Sequence, residues 1–329
     1  MDTIVSRIAA SALALGCWLL LAGSAFAEAA QPARWITLGT SGGPNVQAER
    51  AQIANALVVG ADIYLFDVGD GVRRQLALAG LRDAQVKAVF VSHHHVDHNA
   101  GLGPLIVAHG LFGAGALVVA GPEGTGTLVD GLVAANAPTM LASFPTSGPA
   151  RPPLSQATRT IEIAPTETPR IVYEDGAVRV SAISVPHFQQ PPSIPLPRMP
   201  QAVAYRVEAG GRLFVYSGDT GPTDKLIAFA RGADVLISEI VAPEAIATAL
   251  ARDMAAAPSA LREAIVRGMT RNHLTPAEVG RIATAARVRQ VVLTHFVPTP
   301  EDSPAGAFER DLRAHYRGDV KLARDLDAY

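Results

Sequence analysis

Four candidate metal ligands stand within six residues of this 329-residue chain, directly after a short apolar stretch. The stretch at residues 87–92 is predicted as a buried strand. Because strand side chains alternate between faces, His93 and His95 are expected on one side, and the turn that follows can present Asp97 and His98 to a second point. One short loop can therefore supply two metal ions, whereas two histidines four apart on a helix would bind one. A chance cluster on a polar turn is the alternative, which the order of the four residues disfavours.

The kind of ion follows from the residue types. Neutral imidazole and carboxylate suit zinc, and also iron or manganese, and catalytic zinc keeps a position open for water. The only cysteine, Cys17, lies in an N-terminal segment that we expect to be removed. The mature chain would then lack disulfides, zinc-thiolate sites and cysteine nucleophiles. Any metal is therefore expected to be held by histidine and carboxylate, with zinc first and iron or manganese as alternatives.

The N-terminal segment has the pattern of an export signal. Arg7 precedes an apolar run over residues 8–21, and Ala25-Phe26-Ala27 is the small-x-small pattern found before a cleaved bond. The run is shorter than the roughly 20 apolar residues of a spanning helix, which disfavours the alternative of a retained anchor. We therefore expect residues 1–27 to be a signal peptide and residues 28–329 to form one domain. The mature protein is expected in the periplasm or outside the cell, free of the membrane.

Strand and helix patterns occur in two halves. Each half has apolar strands followed by helices, which favours an α/β fold of two sheets packed face to face with helices outside. In the second half, residues 290–294 are predicted as an apolar strand that stops at His295. The formal net charge is -2 and no stretch of five or more like charges occurs. Such a chain offers no evident groove for a phosphate backbone, so we expect no nucleic-acid partner.

Four motifs resemble those of one enzyme superfamily. The histidine and aspartate run, followed by Gly101-Leu102, resembles the signature of the metallo-β-lactamase superfamily. Residues 66–71 (FDVGDG) resemble its first motif, residues 216–220 (YSGDT) its bridging-aspartate motif, and residues 292–295 (VLTH) the strand that delivers the last ligand. The resemblance extends over nearly all of the mature chain. It implies a metallo-β-lactamase αββα sandwich, which is two mixed sheets packed face to face with helices outside.

The resemblance also implies two zinc ions that share seven ligands, with one ion held by His93, His95 and His187, the other by Asp97, His98 and His295, and Asp219 bridging them. His187 is inferred from its place after a predicted strand, and a surface histidine is the alternative. Asp219 could be a turn residue beside Gly218, although the apolar strand before it favours the site. Asp67 is interpreted as a residue that orients a ligand histidine.

Asp97 and His273 are the candidate catalytic residues. Asp97 would orient or deprotonate the attacking water. His273 lies just before a predicted helix start, with Thr275 as N-cap, Pro276 at the first helical position and Glu278 three residues after the cap. The stretch resembles the His-x-Ser/Thr motif of the ribonuclease Z branch, where that histidine assists at the phosphoryl group. A solvent-exposed loop histidine is the alternative.

Glycine motifs indicate the branch of the superfamily. Gly39-Thr40, residues 121–125 (GPEGT) and residues 217–222 (SGDTGP) resemble the ribonuclease Z and arylsulfatase group more than lactamases that destroy antibiotics. The chain has no long arm rich in glycine and lysine for gripping transfer RNA. We therefore expect an exported zinc enzyme that cleaves a phosphodiester or sulfate ester of a small molecule, with a hydroxide that bridges the two metals.

Two other functions fit the same residues. Hydrolysis of a lactone or β-lactam is one, because the same hydroxide attacks carbonyl carbon and the fold does not decide the substrate. A non-catalytic periplasmic zinc-binding protein is the other, and a closed coordination shell would favour it. The substrate, the metal loaded in the cell and the oligomeric state, with a homodimer as one option, are left open by the sequence.

Overall fold

The strands form two mixed sheets. The computed structural model describes residues 31–142, 151–189 and 199–329, so the expected signal peptide at residues 1–27 lies outside the described residues. Within those ranges the strands are β1 (Ala33–Gly39), β2 (Ala54–Val59), β3 (Asp62–Val68), β4 (Val86–Phe90), β5 (Leu117–Pro122), β6 (Thr158–Ile163), β7 (Arg170–Glu174), β8 (Val178–Val185), β9 (Ala202–Ala209), β10 (Arg212–Tyr216), β11 (Val235–Val241), β12 (Gln290–Val297), β13 (Asp319–Leu322) and β14 (Asp327–Ala328).

Each sheet has an antiparallel part and a parallel part. The first sheet has the order β14-β1-β2-β3-β4-β5-β6 and the second the order β13-β12-β11-β10-β9-β8-β7. Strands β3 to β6 are parallel neighbours in the first sheet, and β10 to β13 are parallel neighbours in the second. Parallel neighbours end at the same edge of a sheet, and that edge is where α/β folds collect their functional residues.

Helices cover the outer faces of both sheets. The α-helices of the described residues are α1 (Val72–Leu78), α2 (Val96–Asn99), α3 (Leu102–Phe112), α4 (Thr125–Ala135), α5 (Ala137–Leu141), α6 (Asp224–Phe229), α7 (Pro243–Asp253), α8 (Ser259–Asn272), α9 (Pro276–Ala286) and α10 (Arg310–His315). Apolar residues of α1, α3 and α4 are buried against the first sheet, and those of α6, α9 and α10 against the second. No helix in the described part of the chain has both the length and the apolar character to cross a membrane.

Aromatic side chains fill the space between the sheets. The ring of Phe66 lies 4.8 Å from that of Trp35 and 4.9 Å from that of Phe90, all three from the first sheet. From the second sheet, Tyr205 lies 5.5 Å from Phe90 and Tyr216 lies 6.2 Å from Trp35. Buried aromatic pairs at these separations stabilise the contact beyond the apolar area that they bury. The predicted αββα sandwich is therefore confirmed.

The end of β12 differs from the sequence prediction. The strand does not stop at His295 but continues to Val297. His295 has a positive φ of 51°, and the pairing with β11 shifts by one residue there, so that Phe296 pairs with Ile240. The backbone irregularity turns His295 out of the ladder without ending the strand. The apolar pattern predicted the strand but could not predict this bulge.

Candidate metal centre

The seven residues predicted as metal ligands lie together where strands of both sheets end. The first sheet contributes the segment after β4, with His93, His95 and the helix α2 residues Asp97 and His98. The second sheet contributes His187 after β8, Asp219 after β10 and His295 within β12. Their candidate ligand atoms form two groups, each with all of its atoms within 4.8 Å of one another.

The first pocket consists of His93, His95, His187 and Asp219. His95 Nδ1 lies 2.9 Å from His93 Nε2 and 3.2 Å from His187 Nε2. Asp219 Oδ2 lies 3.8 Å from His93 Nε2 and 3.9 Å from His187 Nε2. Ligands bound tetrahedrally to zinc at about 2.05 Å are about 3.3 Å apart, so these separations are close to those of a zinc site.

The second pocket consists of Asp97, His98 and His295. His295 Nε2 lies 3.2 Å from His98 Nε2 and 3.3 Å from Asp97 Oδ2. Asp219 Oδ2 adjoins this pocket as well, at 3.3 Å from His295 Nε2 and 3.5 Å from His98 Nε2. One carboxylate oxygen therefore lies within reach of both pockets.

A buried carboxylate oxygen without a partner indicates what the pockets hold. Within the described residues, Asp219 Oδ1 is buried and has no hydrogen-bond partner. Buried polar atoms are normally paired, and a buried carboxylate needs a cation or hydrogen bonds. A divalent ion would satisfy the carboxylate and the converging imidazole nitrogens together. The donor set of imidazole and carboxylate fits zinc, and also iron or manganese.

Hydrogen bonds to the far nitrogens fix the orientation of two pocket histidines. His98 Nδ1 donates to Asp67 Oδ2 at 2.7 Å, and His187 Nδ1 donates to the carbonyl oxygen of Asn272 at 2.9 Å. With the proton held on Nδ1, the lone pair of Nε2 faces the pocket, which is the form that binds metal. Asp67 also accepts from Ser92 and from the hydroxyl of Tyr216.

The pKa shifts suit metal binding. Burial lowers the pKa of His93 well below its ordinary value and lowers that of His187 to about 4. Both imidazoles are therefore neutral ligands at neutral pH. Burial opposes charge on His98 as well, yet the carboxylates of Asp219 and Asp67 outweigh it and raise the pKa of His98 well above its ordinary value. The two carboxylates therefore favour a positive charge beside His98, and a metal ion bound in the second pocket would provide that charge.

His273 lies beside both pockets. The centre of its ring is 4.9 Å from that of His187 and 6.0 Å from that of His295. Its Nδ1 lies 2.7 Å from Glu239 Oε2. Burial opposes protonation of His273, but the charge of Glu239 outweighs it and raises the pKa of His273 to about 9. His273 is buried and is therefore not the exposed loop histidine of the alternative interpretation.

The helix start predicted after His273 is present. Helix α9 begins at Pro276, and Glu278 accepts a hydrogen bond of 2.8 Å from the backbone N–H of Thr275. This capping contact fixes the chain at the point where His273 leaves α8 and α9 begins.

Glu239 is a site residue that the sequence analysis missed. It lies in the fully buried strand β11 and is 1% exposed. Its Oε1 accepts from the backbone N–H of Thr220 at 2.8 Å and from that of Leu274 at 3.3 Å. A single carboxylate inside an otherwise apolar strand was the available signal, because a buried carboxylate needs dedicated partners.

A third group of possible ligands overlaps the second pocket. Asp219, Glu239, His273 and His295 also have candidate ligand atoms within 4.8 Å of one another. Both oxygens of Glu239, however, already accept hydrogen bonds, and His273 Nδ1 is one of the donors. We therefore interpret Glu239 and His273 as a hydrogen-bonded pair and not as ligands of a further ion.

The loop after β1 closes the second pocket, and the sequence analysis did not identify it. The backbone N–H of Gly43 donates to Asp97 Oδ2 at 2.8 Å. A Cβ atom on Gly42 would lie 2.6 Å from His295 Nδ1, so any larger residue there must displace the ring. Gln52 Nε2 donates a hydrogen bond of 3.2 Å to the carbonyl oxygen of Pro44, which fixes the position of the loop.

Five histidines and two carboxylates converge at the strand ends of a two-sheet sandwich, and they form a candidate metal centre of the kind that metal-dependent hydrolases use. The sequence matches the family of the beta-lactamase superfamily domain over residues 63–296. The chain belongs to this family, and the predicted superfamily is confirmed.

Several similar proteins are ribonucleases Z. A ribonuclease Z of Pseudomonas putida is 28% identical over 323 residues, covering 89% of this chain and 95% of that protein. A ribonuclease Z of Mycobacterium bovis is 24% identical over 311 residues, covering 88% and 96%. Among solved structures, the metallo-beta-lactamase fold protein YhfI from Bacillus subtilis has a TM-score of 0.64 at 22% identity, covering 91% of this chain and 99% of that one. The short form of human tRNase Z has a TM-score of 0.62 at 20% identity, covering 90% and 98%.

The expected partners need correction. The sequence analysis predicted a small-molecule ester substrate and no nucleic acid, whereas the relatives are ribonucleases Z and a neighbouring structure is a tRNase Z. The prediction was wrong because the net charge of -2 averages over all faces of the protein. Contact with phosphates depends on the few charges near the site, and a metal centre itself attracts phosphate oxygens.

Proposed function

We propose that this protein is a zinc-dependent phosphodiesterase that uses two metal ions and cleaves RNA. The observation that carries the proposal is the place of His273, whose Nδ1 lies 2.7 Å from Glu239 Oε2 and whose ring lies beside both pockets, at 4.9 Å from that of His187 and 6.0 Å from that of His295. A phosphodiester bound at the pockets has a leaving oxygen that needs a proton, and His273 is a donor beside it. The ribonuclease Z relatives support RNA as the substrate.

The residues of the pockets bind and orient the reacting groups. Zinc, when bound, supplies Lewis acidity and lowers the pKa of a coordinated water to about 7. Asp97 is 3% exposed, and the N–H of Gly43 holds its Oδ2 in place. Its carboxylate orients the attacking water and accepts a proton as the water oxygen bonds to phosphorus.

His273 acts on the opposite side of the reaction. Its Nδ1 is engaged by Glu239, so Nε2 is the nitrogen that faces the substrate. As the bond between phosphorus and the leaving oxygen breaks, His273 gives its Nε2 proton to that oxygen. Glu239 keeps the ring oriented and stabilises the cation before the transfer.

A panel of substrates tests the reaction class. We expect zinc-loaded protein to cleave a single-stranded oligoribonucleotide and an aryl phosphodiester faster than an aryl sulfate, a lactone or a β-lactam. Faster hydrolysis of the lactone or the β-lactam would favour carbonyl chemistry, and a faster sulfate ester would favour the arylsulfatase-like alternative. No turnover of any substrate would favour a non-catalytic zinc protein.

Metal analysis tests the dinuclear part of the proposal. Because Asp219 Oδ2 adjoins both pockets, we expect two equivalents of zinc in the native protein and fewer in Asp219→Ala. Native protein that stays near one equivalent under zinc saturation, with Asp219→Ala unchanged, would contradict a two-metal site.

We also propose that the protein is exported and that the signal is removed before Glu28. The support is the apolar run over residues 8–21 and the Ala25-Phe26-Ala27 pattern. The N-terminus of protein recovered from the periplasm or the medium is sequenced, and we expect the sequence to begin at or near Glu28. Intact Met1 on membrane-bound material would mean that the segment is an anchor.

A further inference from the structure

Arginine and lysine are rare around the pockets. The described segments that carry the site residues are 40–50, 66–71, 91–101, 186–189, 217–223, 239–244, 271–278 and 294–302, and apart from histidines they contain two basic residues, Arg50 and Arg271. Arg50 is 7% exposed and forms a two-point ion pair with Glu301, with Nε and Nη2 each 2.8 Å from a carboxylate oxygen. Arg271 is exposed, and its guanidinium has no hydrogen bond or ion pair with any described residue. Of these two arginines, Arg271 is therefore the one whose guanidinium is available to a ligand.

The backbone of Arg271 lies between two segments of the first pocket. Its carbonyl oxygen accepts a hydrogen bond of 2.8 Å from Gln189 Nε2, and Gln189 is two residues after His187. The same carbonyl is so close to Gly221, two residues after Asp219, that a side chain on Gly221 would collide with it. Arg271 also precedes His273 by two residues. Its side chain is thus attached to the chain beside the segments that carry His187, Asp219 and His273.

We propose that Arg271 binds a phosphate of the RNA chain next to the scissile group. The inference rests on the proposed phosphodiesterase function, because it assigns a residue that holds the same substrate. A guanidinium presents a planar set of N–H donors that matches two phosphate oxygens. The flanking phosphates of RNA carry negative charge that the two pockets, which hold the scissile group, do not neutralise.

Helix α8 extends this positive surface away from the pockets. No residue of α8 is buried, and Arg267, one turn before Arg271, is exposed on the same face. Arg267 makes only a surface ion pair with Glu263 at 3.5 Å, with side chains 63% and 66% exposed. Such pairs contribute little and exchange readily with a phosphate. The chain of an RNA substrate would therefore leave the site along α8.

Arg271 could also serve only to stabilise helix α8, and the test must distinguish that role from phosphate binding. It lies in the last turn of α8, where a positive charge stabilises the negative end of the helix dipole by about 0.3–1 kcal/mol. Loss of that interaction lowers the melting temperature but does not change how RNA binding depends on salt. The salt dependence reports contacts with phosphates, since each contact with a single strand adds about 0.7 to the slope of log affinity against log salt.

The experiment measures the binding of a fluorescein-labelled hexauridylate by fluorescence anisotropy. The salt concentration is varied from about 20 to about 200 mM, which gives the slope of log affinity against log salt. Arg271→Ala, Arg271→Lys and Arg74→Ala are compared, because Arg74 is an exposed arginine of α1 that lies outside the segments carrying the site residues. We expect Arg271→Ala to weaken binding about 5–20-fold and to reduce the slope by about 0.7. Arg271→Lys keeps the slope, and Arg74→Ala behaves as the native protein.

Two outcomes overturn the inference. One is no measurable binding by the native protein at the lowest salt, and the other is an Arg271→Ala variant whose affinity and slope match those of Arg74→Ala. Cleavage of the same hexauridylate by zinc-loaded native protein is measured in parallel. If the native protein cleaves the hexauridylate and Arg271→Ala binds it normally, the inference about Arg271 is wrong but the proposed function stands. If the native protein cleaves no phosphodiester, the proposed function is wrong.

Discussion

Asp67 and Glu239 are two buried carboxylates, one from each sheet, and each holds a histidine. In both pairs a histidine Nδ1 lies 2.7 Å from a carboxylate oxygen. The far nitrogens differ. His98 Nε2 lies 3.2–3.5 Å from His295, Asp97 and Asp219 in the second pocket. His273 Nε2 has no hydrogen bond to any residue that the structure describes, and His273 is 7% exposed where His98 is fully buried.

The same hydrogen bond therefore prepares two different chemical roles. At Asp67 it keeps the proton on Nδ1 and turns a lone pair toward a metal pocket. At Glu239 it supports a protonated ring whose second nitrogen is left to the substrate. What distinguishes a ligand from a proton donor in this protein is the surroundings of the second nitrogen and not the carboxylate partner.

The largest expected effect comes from His273→Ala. We expect the variant to lower kcat for an oligoribonucleotide about 10²–10⁴-fold, the usual range for a lost general acid, with unchanged zinc content. Steady-state kinetics and metal analysis on the same preparation test this. The matched variant His98→Ala is expected to lose zinc from the second pocket. If His273→Ala loses zinc instead, His273 is a ligand and the comparison between the two pairs fails.

A more conservative pair of substitutions sharpens the contrast. Asp67→Asn removes the negative charge that holds the proton on His98 Nδ1. The proton then moves toward Nε2, and we expect the zinc affinity to fall about 10–100-fold. Glu239→Gln does the same to His273, and we expect zinc affinity within about threefold of the native value with a lower kcat. Competition against a zinc chelator measures both affinities. Equal losses of affinity in the two variants would mean that both carboxylates serve the metals.

The smallest effect is expected for Tyr216→Phe. The Tyr216 hydroxyl donates to Asp67 Oδ2 at 2.6 Å, and a buried hydrogen bond to a charged group contributes about 1.5–3 kcal/mol. The control is Tyr205→Phe, because its equally buried hydroxyl donates to the neutral carbonyl of Val91 at 2.7 Å. Urea unfolding should give a lower free energy of unfolding for Tyr216→Phe than for Tyr205→Phe. The reverse order would indicate that Asp67 does not carry its charge in the folded protein.

The two pairs also differ in what the sequence reveals. Asp67 follows an apolar strand inside a recognisable motif, and its histidine belongs to a run of ligands, so local patterns are sufficient. Glu239 is one charged residue in an apolar strand, and its partner His273 is 34 positions further along the chain. Their contact depends on how β11 meets the start of α9, which no local pattern encodes. The loop at Gly42 and Gly43 was missed for the same reason, because its role requires the positions of Asp97 and His295.

Both pockets draw their residues from both halves of the chain. The first pocket takes His93 and His95 from before residue 142 and His187 and Asp219 from after residue 151, and the second combines Asp97 and His98 with His295. Neither half carries a complete set of candidate ligands, so tight binding of the proposed zinc ions requires that the two sheets have already packed together. Binding energy for the metal is then folding energy for the whole domain. Two fragments cut between residues 142 and 151 would bind zinc weakly alone, and zinc would promote their reassembly.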